Sequence, residues 1–198
     1  MQENTEIERQ FMLNRPAAEI IAAAAKDGTL LMSYDIHQSY LRDTGVWTIR
    51  ARKTIFDAPL APCYEETLKR TIGGITRREI KLNLTAESYA KLTSECGPVL
   101  RKRRTELCIG DRIWEIDVFL NPSLEKLELV EVELPSEDAG LVLPEWIGKE
   151  TTYLHQYRNA ELAKRITADE DDNDKHRHAH RLCGQRARNL SGDEGREP

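Results

Sequence analysis

The stretch Glu6-Ile7-Glu8-Arg9-Gln10-Phe11 contains the pattern that decides the fold of this chain. Its two carboxylates stand two residues apart with an apolar residue between them, and the same spacing returns in Glu115-Ile116-Asp117 and Glu131-Val132-Glu133. Side chains of a strand alternate between its two faces, so each carboxylate pair shares one face and the apolar residue lies on the other. The pattern predicts a sheet with one apolar face and one charged face.

Basic residues follow the same spacing in other strand-like stretches. The sets are Arg50 with Arg52, Lys102 with Arg104, and Arg77 with Glu79 and Lys81. One interpretation is a solvated sheet surface with cross-strand ion pairs, which is common in antiparallel proteins. The other is a closed barrel whose charged face lines a lumen, where acidic pairs hold metal ions and basic pairs hold an anion. Neighbouring like charges are unfavourable unless a cation bridges them, which favours the lumen.

Strand-like and helix-like stretches follow one another in an order that occurs twice. The first half predicts a strand near residues 6–12, a helix over 17–26, and strands near 32–41, 46–54 and 64–71. The second half predicts a strand over 76–84, a helix capped by Thr85, and strands near 99–109, 112–120 and 127–134. Eight strands can close a barrel. The sequence therefore predicts an α+β fold: an eight-stranded antiparallel β-barrel tunnel built from two β-α-β-β-β halves, with flanking helices.

Length and composition narrow the class of protein. The 198 residues suit one domain over residues 1–167, followed by a tail at 168–198 that is low in apolar residues, mixed in charge and expected to be disordered. The net charge of −5 provides no general basic field for nucleic acid or an anionic membrane. The chain has no long apolar run, a polar start and widely spaced cysteines, so we expect a cytoplasmic protein without a zinc site.

Several segments, taken in order, resemble the CYTH family, the triphosphate tunnel metalloenzymes. They are EIERQF (6–11), WTIRAR (47–52), LRKRR (100–104), WEIDVF (114–119), VEVELPSED (130–138) and PEWIGKE (144–150). The resemblance implies an eight-stranded tunnel that binds a triphosphate with Mg²⁺ or Mn²⁺ and usually hydrolyses a phosphoanhydride. The short bacterial members of the family that are closest to this pattern are mostly tripolyphosphatases, so the resemblance implies the same activity.

The resemblance assigns roles to individual positions. The implied metal ligands are Glu6, Glu8, Glu131 and Glu133, with Asp117 and Glu115 as additional candidates. The implied substrate-binding residues are Arg50, Arg52, Lys69, Lys102 and Arg104, with Arg77 as a further candidate. Carboxylate oxygens suit hard cations, and arginine forks suit phosphate oxygens. Tyr40, at a position where bacterial members often carry a tyrosine, is a catalytic candidate together with Gln10. For Glu115 alone, an ion pair with an arginine of a neighbouring strand is an equally good interpretation.

The chain departs from the family pattern at several positions. The family motif is Glu-x-Glu-x-Lys, and Gln10 stands where the lysine is expected. In tripolyphosphatase-like members that lysine is implicated in activating or orienting the attacking water, whereas a glutamine amide can form hydrogen bonds but cannot act as a base. Lys81 replaces an acidic residue, and His155 and Gln156 replace a Lys-Arg pair. These changes predict an altered substrate or a reduced rate.

The expected function is metal-dependent hydrolysis of inorganic tripolyphosphate or a related organic triphosphate. One alternative is a non-catalytic module that binds polyphosphate or a nucleotide, which Gln10 favours. A second is an activity like that of class IV adenylate cyclases, although nothing in the sequence identifies an adenine pocket. The expected partner is a small triphosphate or polyphosphate, with no nucleic acid and no membrane. The outward apolar strand faces permit a homodimer without requiring one.

Overall fold

A computed structural model describes residues 2–57 and 59–166 of the chain. The strands are β1 (Gln2–Leu13), β2 (Leu30–Asp43), β3 (Trp47–Phe56), β4 (Cys63–Gly73), β5 (Thr76–Asn83), β6 (Leu100–Ile109), β7 (Arg112–Phe119), β8 (Glu128–Glu133) and β9 (Ile147–Glu150). The α-helices are α1 (Ala17–Asp27), α2 (Ala86–Thr93) and α3 (Asn159–Ala163). The order β-α-β-β-β occurs in both halves, as predicted. The predicted tail at 168–198 lies outside the described residues.

Eight of the strands form a closed antiparallel barrel. Their order is β5-β4-β3-β2-β6-β7-β8-β1, and β1 also pairs with β5, which closes the sheet with Glu6 opposite Arg77. The barrel predicted from the sequence is therefore confirmed. The short strand β9 was not predicted, and it adds to the far end of β1 with Glu150 opposite Phe11.

Local sequence signals set the ends of the first two helices. Pro16 precedes α1, and Gly28 ends it in the left-handed conformation at φ 74°, where its N–H donates to the carbonyl of Ala24. The hydroxyl of Thr85 accepts a hydrogen bond of 3.1 Å from the backbone N–H of Ser88, which caps α2. Both predicted helix starts are confirmed. None of the helices in residues 2–57 and 59–166 is long and apolar enough to cross a membrane.

The outer face of the barrel carries the main hydrophobic core. Helix α1 covers this face through Ala17, Ile20 and Ala24, which pack in one cluster with outward side chains of β1, β6, β7 and β8. The strand members of this cluster are Phe11, Leu107, Trp114, Ile116, Val130 and Val132. Trp146 packs edge-on against Trp114 with ring centroids 5.8 Å apart. Helix α1 and Trp146 thus cover the apolar outer face of β1, β6, β7 and β8.

The barrel interior becomes apolar at one end. Leu100, Phe119 and Leu129 have the same strand parity as the charged residues Lys102, Asp117 and Glu131, so they face inward. They pack in a second buried cluster with Leu124 and with Leu162, Ala163 and Ile166 at the C-terminal end of the described chain. Helix α3 packs against β2 and β6 at this end.

Replacing Trp114 by alanine tests the outer core. Trp114 is 1% exposed, so Trp114→Ala should lower the free energy of unfolding by about 3–5 kcal/mol through lost burial and an unfilled cavity. Trp47 is 41% exposed and stacks under Arg70, so Trp47→Ala is the matched control and should cost about 1 kcal/mol. Urea denaturation measures both values. Equal losses would show that α1 and Trp146 do not form the main core with Trp114.

Candidate functional site

The inward face of the barrel surrounds a cavity of about 420 Å³. All the predicted site residues except Asp117 line it: Glu6, Glu8, Gln10, Tyr40, Arg50, Arg52, Lys69, Arg77, Lys102, Arg104, Glu115, Glu131 and Glu133. They come together because every second residue of a strand faces the lumen, and barrel closure brings β1 beside both β5 and β8. The charged face of the sheet is therefore a lumen rather than an outer surface.

Acidic residues from three neighbouring strands face one another in this lumen. In the pairing of β1 with β8, Glu8 lies opposite Glu133 and Gln10 lies opposite Glu131. In the pairing of β7 with β8, Glu115 lies opposite Glu131. Opposed carboxylates repel each other unless cations lie between them. This wall therefore needs positive charge, from the protein itself or from a bound ion.

Arg104 supplies part of that positive charge. Its guanidinium donates to Asp117 through Nε at 2.7 Å and through a terminal nitrogen at 2.6 Å, to Glu131 at 2.7 Å, and to Glu115. Lys102 donates to the same Asp117, whose side chain is 2% exposed. Asp117 thus contacts both of these cations and does not line the cavity. Its role as a metal ligand stays a prediction, and its contacts here position Lys102 and Arg104.

Glu79, on the strand β5 that pairs with β1, is surrounded by basic residues of the lumen. It is 3% exposed and lies 2.9 Å from Lys81, 3.3 Å from Lys69 and 3.8 Å from Arg50. Burial raises the pKa of Glu79, but these three cations outweigh burial and hold the pKa below its ordinary value. Glu79 was not among the predicted site residues. Its place between Arg77 and Lys81 in the charged alternation was the signal that could have identified it.

Arg50 and Arg52 carry hydrogen-bonding capacity that the protein leaves unused. Within the described part of the chain, the buried Nε atoms of both residues have no hydrogen-bond partner. Burial and the neighbouring Arg50 guanidinium lower the pKa of Arg52, although Glu65 accepts from one of its terminal nitrogens at 3.0 Å. Unsatisfied buried donors cost free energy. The residues that the structure describes therefore leave a buried donor of each arginine unsatisfied.

The carboxylates of β1 are paired with cations of the neighbouring strands. Both oxygens of Glu6 accept from Lys69, at 2.6 and 2.7 Å, and Glu8 accepts from Arg77 at 2.7 Å. Even so, burial, reinforced by the nearby Glu6, raises the pKa of Glu8 to about 7. The ion pairs therefore neutralise this part of the lumen incompletely.

The oxygen donors of the acidic wall fit a hard divalent cation. Among residues 2–57 and 59–166, no group of three or more His, Cys, Asp or Glu side chains is arranged as a ready-made metal site. Magnesium, however, is usually held by one or two carboxylates together with water and substrate phosphates. Paired carboxylates such as Glu8 and Glu133 on adjacent strands meet that need.

The two catalytic candidates have separate partners. Gln10 donates from Nε2 to Glu131 at 3.0 Å, and its Oε1 accepts from the hydroxyl of Thr151 at 2.9 Å. The hydroxyl of Tyr40 accepts from Gln38 at 2.9 Å, and burial raises the pKa of Tyr40 above its ordinary value. Thr151 was not predicted, and no sequence pattern marks it. Tyr40 at near-neutral pH is a neutral phenol, not a base.

The fold and the lumen define this chain as a closed antiparallel tunnel protein whose tunnel is lined by acidic and basic residues. No protein-family model matches the chain. A crystal structure of the protein NE1496 is 30% identical, with a TM-score of 0.54 over 82% of this chain and 99% of that chain. A second crystal structure, in which NE1496 is called an inorganic triphosphatase, is 29% identical, with a TM-score of 0.53 over 80% of this chain and 93% of that chain. A protein named inorganic triphosphatase from Acetivibrio thermocellus is 37% identical over 100 residues, which are 50% of this chain and 64% of that relative.

A third match concerns the fold alone. The PH1819 protein of Pyrococcus horikoshii is 15% identical, with a TM-score of 0.53 over 81% of this chain and 98% of that chain. The NE1496 match, at 30% identity over 99% of that chain, gives the family. The chain belongs to the CYTH family of triphosphate tunnel proteins.

The raised pKa of Glu8 predicts a pH dependence of stability in a metal-free buffer containing a chelator. Between about pH 4.5 and 7 the folded state keeps a proton on Glu8 that the unfolded state has lost, so stability should fall as pH rises through this window and level off above it. Glu8→Gln should reduce this fall, since glutamine does not titrate. Urea denaturation from pH 5 to 8 measures it. Glu145→Gln, at an exposed carboxylate, should follow the wild type; identical slopes for all three proteins would contradict the prediction.

Proposed function

We propose that this protein hydrolyses a phosphoanhydride bond of a triphosphate in a reaction that requires Mg²⁺ or Mn²⁺, with inorganic tripolyphosphate as the substrate. The observation that carries the proposal is the pair of buried Nε donors on Arg50 and Arg52, which lack a hydrogen-bond partner in the described structure and lie in a lumen whose other wall is acidic. A polyanion with divalent cations supplies the charges that both walls need.

The basic residues bind and orient the polyanion. Arginine presents several donors in a plane and suits phosphate oxygens, whereas lysine acts as a point charge. Arg50, Arg52 and Lys69 project from the adjacent strands β3 and β4, and Lys102 and Arg104 project from β6. Donors from separate strands of a rigid barrel can contact a linear substrate along its length. Such positioning removes much of the entropic barrier to reaction.

The acidic residues hold the cation. Glu6, Glu8, Glu131 and Glu133 are the residues that would hold Mg²⁺ or Mn²⁺, with Glu115 beside them. A bound cation would neutralise charge on the phosphate oxygens. The protein contributes a wall of fixed carboxylates, so no large rearrangement of backbone is needed to receive it. Phosphoryl transfer depends mainly on positioning and charge, which explains how a chain with Gln10 in place of a lysine can retain the reaction.

The similar proteins support the same reaction. Both the Acetivibrio thermocellus relative and NE1496 carry the name inorganic triphosphatase. The match to the former spans 64% of its length, and the match to NE1496 spans 93% of that chain in the structure so named. We infer the same substrate class for this chain because the charged lumen lies within the shared fold.

One observation favours a second candidate, a module that binds a polyphosphate without turnover. The Gln10 amide is held by Thr151 and Glu131, and an amide cannot accept a proton as a general base. In this alternative the lumen binds the same anion, but no residue orients the attacking water. Binding without phosphate release separates the two functions.

Phosphate release from inorganic tripolyphosphate, ATP and thiamine triphosphate tests the proposal. With Mg²⁺ or Mn²⁺ we expect tripolyphosphate to be the best substrate and the chelated protein to be inactive. The double variant Glu131→Gln/Glu133→Gln should lose at least about 100-fold in kcat/KM, because it removes two cation-binding carboxylates. Glu87→Gln, on the exposed side of α2, is the control. Tight binding of tripolyphosphate in calorimetry without any phosphate release would establish the binding module instead.

Gln10→Lys tests the effect of the departure from the family motif. A lysine at this position should orient or activate the attacking water, so we expect kcat to rise by about tenfold. Its positive charge next to Glu131 should also raise the cation concentration needed for half-maximal rate. Steady-state kinetics at varied Mn²⁺ measures both effects. An unchanged kcat with every triphosphate would show that residue 10 has no role in the chemical step.

A further inference from the structure

Thr151, which follows β9, contacts the site through Gln10. The Thr151 hydroxyl donates to Gln10 Oε1 at 2.9 Å, and Gln10 Nε2 donates to Glu131 Oε1 at 3.0 Å. The second carboxylate oxygen of Glu131, Oε2, accepts from Arg104 at 2.7 Å. Both oxygens of this carboxylate are therefore held by donors, one on each side.

The backbone holds Thr151 in register with Gln10. The Thr151 N–H donates to the Gln10 carbonyl at 2.8 Å, and the Gln10 N–H donates to the Thr152 hydroxyl at 3.0 Å. Thr151 is 1% exposed and Glu131 is 8% exposed. Water therefore has little access to replace the Thr151 hydroxyl. The hydrogen-bonded series Thr151, Gln10, Glu131 is a fixed part of the fold.

The chemistry of an amide explains why this series needs Thr151. A side-chain amide has one acceptor end and one donor end, and only the donor end can face an ionised carboxylate. A lysine ammonium has no acceptor, so it would need no partner to select its orientation. Gln10 has an acceptor end as well, and the Thr151 hydroxyl donates to its Oε1, so Glu131 and Thr151 together hold the amide with Nε2 facing Glu131.

We propose that Thr151 is a positioning residue for the cation site: by fixing the amide of Gln10, it holds the Glu131 carboxylate in place to bind a divalent cation. This inference rests on the proposed function for the role of Glu131. Thr151 itself touches neither the cation nor the substrate. Gln10 provides a donor to Glu131 without adding positive charge, so the carboxylate keeps its attraction for the cation. Residues that orient a metal-binding side chain in this way commonly contribute 10–100-fold to metal affinity.

Mn²⁺ binding without substrate tests the proposal directly. Thr151→Val keeps the shape of the side chain and removes the hydroxyl, so the Kd for Mn²⁺, measured by electron paramagnetic resonance, should rise about tenfold. Thr151→Ser keeps the hydroxyl and should restore binding to near the wild-type value. Thr105→Val is the matched control, because Thr105 is 2% exposed and its hydroxyl bonds that of Ser33 at 2.9 Å on the outer side of the barrel. Thermal denaturation of each variant verifies folding.

A double-mutant cycle shows whether Thr151 acts through Gln10. Gln10→Met removes the amide, so adding Thr151→Val to it should weaken Mn²⁺ binding little further. Fully additive effects, or wild-type Mn²⁺ affinity in Thr151→Val, would overturn the proposal. If either of these two results is found while the wild type hydrolyses tripolyphosphate, the positioning role fails and the proposed function stands. If the wild type neither binds Mn²⁺ nor releases phosphate, the proposed function fails and the positioning role fails with it.

Discussion

The rest of the structure depends on one electrostatic constraint: charges of both signs are enclosed in a barrel and must be neutralised there. Removing an ion from water is costly unless a partner and hydrogen bonds compensate for it. The barrel meets this constraint by placing acidic residues of β1, β7 and β8 within reach of Arg104 and Lys69, and basic residues of β3 and β4 around Glu79. The enclosed charges hold one another in place.

Neutralisation within the lumen is incomplete, and this incompleteness is what suits the site to a ligand. Glu8 has a raised pKa because burial and Glu6 oppose its charge. In the described residues, Arg50 and Arg52 each retain a buried Nε donor without a partner. Under the proposed function, a polyanion with divalent cations would supply both charges, since each component carries the charge that one set of residues lacks. The raised pKa of Glu8 should also make the stability of the free protein depend on pH.

Much of the fold could be predicted because its signals are local. The alternation around Glu6 and Glu8 reports which side chains share a strand face, and Thr85 and Gly28 mark helix ends through their own backbone preferences. The strand β9 could not be predicted, since four residues after a Pro-containing loop carry no periodic pattern. Its pairing with β1 is a long-range contact. Thr151, next to β9, was missed for the same reason.

The sequence alone established which residues share the charged face of the sheet and that this face carries both acidic and basic groups, because strand alternation is a property of the local chain. Barrel closure turned that face into the lining of a lumen. Only the tertiary structure decided which of these groups are neighbours. Barrel closure and strand register place Glu131 beside Gln10 and Arg104. They also pair Asp117 with Lys102 and Arg104. Charge neutralisation depends on distances between strands remote in sequence, which no local pattern contains.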